Sequence, residues 1–233
     1  MEFNKINTLS TETIVKAQQE FMTKVYGWMV GGLLLTGLTA WYVFESAITY
    51  MLIENTILFF ALIIGELILV YVLSARINSL SKTTASLMFV GYSLLNGLTL
   101  SVIFLAYTAE SIQNVFLIAA SMFAALSIYG YTTKREMGGF GKFLYMGLVG
   151  LVVAMIINFI IGSSMLNFVI SIIGVIVFAG LTVYDTNKLK EMYLLQFEGD
   201  EVASKGAIIG ALVLYLDFIN LFLFLLRLLG SRR

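Results

Sequence analysis

The sequence predicts an all-α integral membrane protein, a bundle of seven transmembrane helices. Three observations support this fold class. Hydrophobic residues make up 60% of the 233 residues and charged residues only 12%, a composition too apolar for a soluble domain. Apolar runs of roughly 17 to 24 residues follow one another, and each is long enough to cross a hydrocarbon core about 30 Å thick. The connections between these runs alternate between segments with and without Lys and Arg.

The chain divides into an N-terminal tail, 1–24, and one membrane domain, 25–233. The tail mixes Lys with Glu and lacks the charge order and cleavage site of a signal peptide. The predicted spans are Val25–Phe44, Ile57–Leu73, Leu87–Tyr107, Val115–Tyr131, Phe143–Ile161, Leu166–Tyr184 and Gly206–Leu229.

The distribution of basic residues predicts the orientation in the membrane. Lys and Arg occur in the connections that share a side with the tail and are absent from 45–56, 108–114 and 162–165. The positive-inside rule therefore predicts a cytoplasmic N-terminus. Seven crossings bring Arg227, Arg232 and Arg233 to the outer face, against that rule. We expect the last segment to cross nonetheless, because the earlier helices fix the topology.

The composition excludes several classes of function. The chain has no Cys and no His, so it has no disulfide framework, thiol nucleophile or imidazole catalyst. Its formal net charge is +0, and nothing indicates nucleic acid as a partner. No resident cofactor is expected. The expected surroundings are the lipid bilayer, together with possible membrane-protein partners.

Three acidic residues lie in or at the end of apolar runs: Glu66, Asp185 and Asp217. An acidic side chain at the bilayer centre costs about 2.5 to 3.5 kcal/mol, so it usually faces the bundle interior and serves a function. The alternative is a structural role, in which each acid only bonds a polar side chain of a neighbouring helix. Asp185 is closest to the cytoplasmic boundary, where solvation alone could explain it.

Two aspartates brought together in a low-dielectric bundle do not readily carry two charges at once. The pair Asp185 and Asp217 is therefore a candidate pH sensor and gate in a chain without histidine. In its deprotonated form the pair offers hard oxygen ligands that suit a transient calcium ion.

Glu66 and two further residues are candidates for a pathway or a latch beside the pair. Arg76 follows the second span, and a bidentate pair with Asp185 is geometrically plausible; its alternative role is a positive-inside anchor. Asn220 lies three residues after Asp217, on the same face of the helix.

Two segments carry a resemblance to a known family. They are Phe178–Lys190 (FAGLTVYDTNKLK) and Ala211–Phe222 (ALVLYLDFINLF). With Val25–Met29 and Tyr129–Arg135, they make the chain resemble the Bax inhibitor-1, or transmembrane Bax inhibitor motif, family, in its bacterial inner-membrane branch. The resemblance extends over nearly the whole chain.

The resemblance implies six helices around a central seventh and a pH-sensitive calcium leak. It implies that Asp185 and Asp217 are the aspartate pair that senses pH and that Glu66 is the second-helix glutamate. Arg76 is the best counterpart of the latch arginine, although its spacing from Glu66 is one residue short.

The leading hypothesis is a calcium or cation leak channel gated by the aspartate pair, and not an enzyme. One alternative is a membrane regulator that acts through protein partners. The other is an intramembrane aspartyl protease, suggested by Tyr184-Asp185 and the second aspartate. That family carries Gly before its second Asp and a later Pro motif, whereas this chain has Leu216 and no Pro.

Overall fold

A computed structural model describes residues 11–135, 137–196 and 200–233. These residues are nearly all helical, with one isolated β-bridge near the C-terminus. The helices are α1 (Thr11–Phe44), α2 (Ile48–Glu54), α3 (Thr56–Arg76), α4 (Lys82–Leu100), α5 (Ile103–Ala106), α6 (Ala109–Thr132), α7 (Gly138–Ile161), α8 (Ser164–Gln196) and α9 (Asp200–Leu229).

Seven described segments are long and apolar enough to cross a membrane, which confirms the predicted fold class and number of spans. The short helix α2 lies between the first two spans. The third span is interrupted after Leu100, where the Ser101 hydroxyl donates a hydrogen bond to the Leu98 carbonyl at 2.7 Å. Such a local bond competes with the helical pattern, and α5 resumes at Ile103.

The first helix begins within the predicted tail, at Thr11. Its early turns are part of the protein interior, because Phe21, Met22 and Val25 are all buried. The earlier tail residues, 1–10, lie outside the described part of the chain. The division of the chain at residue 24, into a cytoplasmic tail and a membrane domain, stays a prediction.

Helix α9 is the most enclosed of the seven spans. In its most apolar stretch 72% of the residues are buried inside the protein, against 44% or less in the other spans. It packs against α1, α4, α6 and α8, and small residues allow the close approach. Gly210, for example, faces side-chain atoms of Val25 and Leu189. Helix α7 packs chiefly on α8, so the arrangement of six helices around α9 stays a prediction.

Helices α6 and α8 approach each other closely at Gly130. A Cβ atom at this position would lie 2.5 Å from the carbonyl oxygen of Val183. The Asn187 amide nitrogen donates to the Gly130 carbonyl at 3.3 Å. This contact fixes α8 along the segment that carries Asp185.

The C-terminal residues fold back onto the connection between α5 and α6. The Thr108 N–H donates to the Ser231 carbonyl at 3.2 Å, and the Arg233 N–H donates to the Ala106 carbonyl at 3.1 Å. Helix α9, at 30 residues, is about 45 Å long. It therefore runs the length of the bundle and ends beside connections that lack Lys and Arg. The side of the membrane on which this end lies stays a prediction.

Candidate functional site

The structure brings Asp185 and Asp217 together. Asp185 lies on α8 and Asp217 on α9, which are closely packed helices, and the two side chains are within hydrogen-bonding reach of each other. Both are buried, at 4% and 5% exposure. The geometry on which a shared proton depends is therefore present.

One oxygen of the pair has no conventional donor. Asp217 Oδ2 is buried, and no hydroxyl, amide or cationic donor of the described residues reaches it. An ionised carboxylate only accepts hydrogen bonds, whereas a protonated carboxyl also donates one. A proton held between the two acids satisfies both groups without an outside donor.

The pair has two further neighbours. The Tyr145 hydroxyl, from α7, donates to Asp185 Oδ1 at 3.3 Å. Lys188 lies one helical turn after Asp185 and is the cation that acts on it electrostatically. The Lys188 ammonium also lies 5.7 Å from the centre of the Tyr184 ring.

Sequence reasoning identified neither Tyr145 nor Lys188 as a site residue. Lys188 could have been found, because it lies three residues after Asp185 within the motif that carries the resemblance. Tyr145 gave no signal, because an aromatic residue near a predicted helix end is ordinary in membrane proteins.

The pair alone is an incomplete site for a bound ion. Calcium takes about six to eight oxygen ligands, and two carboxylates supply at most four. Among the residues that the structure describes, no group of three or more Asp, Glu, His or Cys side chains could hold a metal. A calcium ion at this position would need water or neutral oxygens, such as the Tyr145 hydroxyl, as further ligands.

Glu66 belongs to a separate polar cluster, on α3 and α4. Its Oε1 accepts a hydrogen bond from the Thr99 hydroxyl at 2.7 Å, and its Oε2 accepts one from the Asn96 amide at 3.2 Å. The Asn96 oxygen in turn accepts a bond from the Tyr215 hydroxyl at 3.0 Å. Glu66 is thus linked to α9 through Asn96.

Tyr215 connects this cluster to α1 as well. Its hydroxyl is 2.6 Å from the hydroxyl of Thr36, and the residue is fully buried. Tyr215 lies two residues before Asp217, which corresponds to about 200° around a helix of 3.6 residues per turn. Helix α9 therefore carries two buried polar clusters on opposite faces, the aspartate pair and the Glu66 cluster.

The remaining predicted site residues lie apart from these two clusters. Arg76 is exposed at the end of α3, and the groups that act on Asp185 are Tyr145, Lys188 and Asp217. The Asn220 amide donates to the Leu216 carbonyl within α9, at 2.8 Å. A latch role for Arg76 and a pathway role for Asn220 stay predictions.

Comparison with known proteins gives the family. The sequence model described as inhibitor of apoptosis-promoting Bax1 matches residues 18–233. The chain belongs to the Bax inhibitor-1 family. The match includes both aspartates and Glu66, and it confirms the resemblance that the two motifs predict.

Several curated relatives match over most of their length. The inner membrane protein YbhL of Escherichia coli K12 is 50% identical over 223 residues, which cover 92% of this chain and 93% of that relative. An uncharacterized protein of Borreliella burgdorferi is 42% identical, with 95% of each chain covered. The protein RP147 of Rickettsia prowazekii is 39% identical, with 97% of this chain and 95% of the relative covered.

Proposed function

We propose that this protein is a pH-sensitive calcium leak channel of the inner membrane, gated by Asp185 and Asp217. A proton shared between the two acids holds α8 and α9 together and closes the pathway. Loss of the shared proton and binding of a cation change this contact between α8 and α9, and the pathway shifts between closed and open. Calcium is the transported ion, and the protein acts as a channel with no resident cofactor and no enzymatic reaction.

The observation that carries the proposal is the contact between two buried carboxyl groups on different membrane helices. Burial of an acid in a bundle is costly, and a pair that shares one proton reduces the cost only while the helices remain in contact. Protonation state and helix contact are thereby coupled. Because α8 and α9 are both long enough to cross the membrane, a change in their contact is expected to control passage of an ion along the bundle.

The inner-membrane location rests on two considerations. The described chain has seven apolar spans, and a relative that is 50% identical is named an inner membrane protein. The orientation with a cytoplasmic N-terminus follows from the positive-inside rule alone.

Calcium flux into liposomes tests the proposal. Purified protein is reconstituted with an internal calcium dye, and flux is measured from pH 6 to 8 (roughly the window of a buried carboxylate pair) for the wild type and Asp217→Asn. Asparagine is similar in size to aspartate but cannot titrate, so we expect the variant to lose the pH response. Glu201→Gln removes an exposed carboxylate from the same helix and serves as the matched control.

The possible outcomes separate the hypotheses. A pH response that is lost in Asp217→Asn and retained in Glu201→Gln supports the gate. No calcium flux in any variant, combined with partner binding that survives replacement of both aspartates by Asn, favours the regulator that acts through protein partners. Cleavage of a membrane substrate by the wild type, abolished in Asp185→Ala, would instead indicate a protease.

A further inference from the structure

Three arginines lie at the end of the bundle where the positive-inside rule expects few basic residues. Arg227 is in the last turn of α9, and Arg232 and Arg233 follow it. The aspartate pair and the Glu66 cluster do not involve them. Their position therefore calls for a separate explanation.

Two of these arginines line a polar cavity of about 390 Å³. The cavity lies between the C-terminal end of α9 and the connection from α7 to α8. Its lining includes Arg227 and Arg232 together with polar side chains from the end of α7, the connection and the first turns of α8: Asn158, Ser163, Ser164, Asn167 and Ser171. Arg233 is not part of the lining.

Two polar side chains near the connection accept hydrogen bonds from nearby backbone N–H groups. Asn158 Oδ1 accepts from the Ser163 N–H at 3.1 Å, and the Ser163 hydroxyl accepts from the Leu166 N–H at 3.2 Å. These bonds leave the Asn158 amide nitrogen and the Ser164 hydroxyl as donors. The Ser171 hydroxyl is not available, because it donates to the Asn167 carbonyl at 2.7 Å. The donors that remain include those of Asn158, Ser164 and the two arginines, and α8 begins there with the positive end of its dipole.

The arginine side chains are also without acidic partners. Within the described ranges, no ion pair involves Arg227 or Arg232. The Arg227 guanidinium lies 5.2 Å from the centre of the Phe224 ring, which fixes its direction. Arg232 is held through its backbone, in the β-bridge to Tyr107. Both side chains are exposed, and neither guanidinium has a carboxylate partner among the described residues, so both are available to bind an anion.

We propose that this cavity binds a phosphate group. Guanidinium groups bind phosphate through paired N–H donors, and the hydroxyl and amide donors opposite them suit a tetrahedral anion with several oxygens. The phosphate comes either from a phospholipid headgroup or from a dissolved phosphate. This site is at a distance from the aspartate pair and does not depend on the proposed channel function.

Melting of the full-length protein in detergent tests the proposal with two probes. One probe is inorganic phosphate, and the other is a short-chain phosphatidylglycerol added below its micellar concentration. The variants are Arg227→Gln/Arg232→Gln and Ser164→Glu, and the matched control is Arg233→Gln. Ser164→Glu places a carboxylate in the cavity, and an acidic residue in the first turn favours the helix, so this variant keeps the fold.

We expect at least one probe to raise the melting temperature of the wild type and of Arg233→Gln. Loss of two charge-assisted bonds should weaken binding by at least about 100-fold in the double variant, and Ser164→Glu should abolish it. A shift with phosphate alone identifies a dissolved anion, and a shift with the lipid alone identifies a headgroup; either supports the site. The proposal is wrong if neither probe stabilises the wild type, or if Arg233→Gln loses binding as severely as the double variant.

Discussion

Replacement of Tyr215 by Phe should destabilise the bundle measurably, because one hydroxyl joins α9 to two other spans. This hydroxyl contacts Thr36 Oγ1 at 2.6 Å and donates to Asn96 Oδ1 at 3.0 Å. Tyr215→Phe keeps the buried ring and removes both bonds. The Asn96 oxygen then remains in the interior without its donor.

The expected magnitude follows from the two lost bonds. Hydrogen bonds between membrane helices average about 0.6 kcal/mol, with a maximum near 1.7, and an orphaned buried acceptor costs about 1 to 3 kcal/mol. We therefore expect a loss of about 1 to 3 kcal/mol in the free energy of unfolding. This corresponds to roughly a 5- to 150-fold change in the unfolding equilibrium.

Tryptophan fluorescence during titration with sodium dodecyl sulfate measures this loss. The Trp28 ring is 6.0 Å from Phe89, whose ring is 6.0 Å from that of Tyr215, so Trp28 reports on the same cluster. Trp41 is 58% exposed and can be replaced by Phe in every variant to isolate the signal.

The matched control is Tyr92→Phe. Tyr92 is buried, and its ring lies 5.6 Å from that of Tyr215, but its hydroxyl makes no hydrogen bond within the described part of the chain. The control should unfold like the wild type. Equal stability of Tyr215→Phe and Tyr92→Phe would refute the assignment of two stabilising bonds to the Tyr215 hydroxyl.

Three further predictions concern packing, the aspartate pair and topology. Gly130→Ala should lower the free energy of unfolding by about 1 to 3 kcal/mol, because the added Cβ overpacks against the Val183 carbonyl. The control Gly91→Ala has open space around its Cβ and should melt at or above the wild-type temperature. Equal melting temperatures of the two variants would contradict the close contact at Gly130. Tyr145→Phe removes a hydrogen-bond donor from Asp185. The ratio of calcium flux at pH 8 to that at pH 6 (the ends of the titration window) should therefore change by about 2- to 10-fold. An equal effect of the control Tyr184→Phe would argue against this bond. Since the chain has no native Cys, a membrane-impermeant maleimide should label Ser231→Cys but not Lys134→Cys in intact cells, and the reverse pattern would overturn the predicted orientation.

The sequence was sufficient to predict the membrane architecture. Bilayer thickness sets a length that each apolar run either reaches or does not, so the seven spans could be counted without knowledge of their packing. The short helices α2 and α5 could not be predicted this way. Their limits depend on local hydrogen bonds, such as that of Ser101, which leave hydropathy unchanged.

The candidate site was only partly predictable. The cost of a buried charge identified Glu66 and Asp217 as interior residues, and the motifs indicated that Asp185 is the partner of Asp217. The assignment of Glu66 to a different cluster required the structure, because it depends on which face of α9 meets α3 and α4. Tyr145 reaches the pair from a helix whose sequence marks it as an ordinary lipid-facing span.

The helices that carry the aspartate pair are long and contain no proline. At 33 residues, α8 is about 50 Å long, well beyond a hydrocarbon core of about 30 Å. Without a proline hinge, α8 has no kink at which a tilt of one end would be absorbed before it reaches Asp185. A tilt of α8 against α9 would therefore change the separation of the two carboxyl groups without unwinding a turn of either helix.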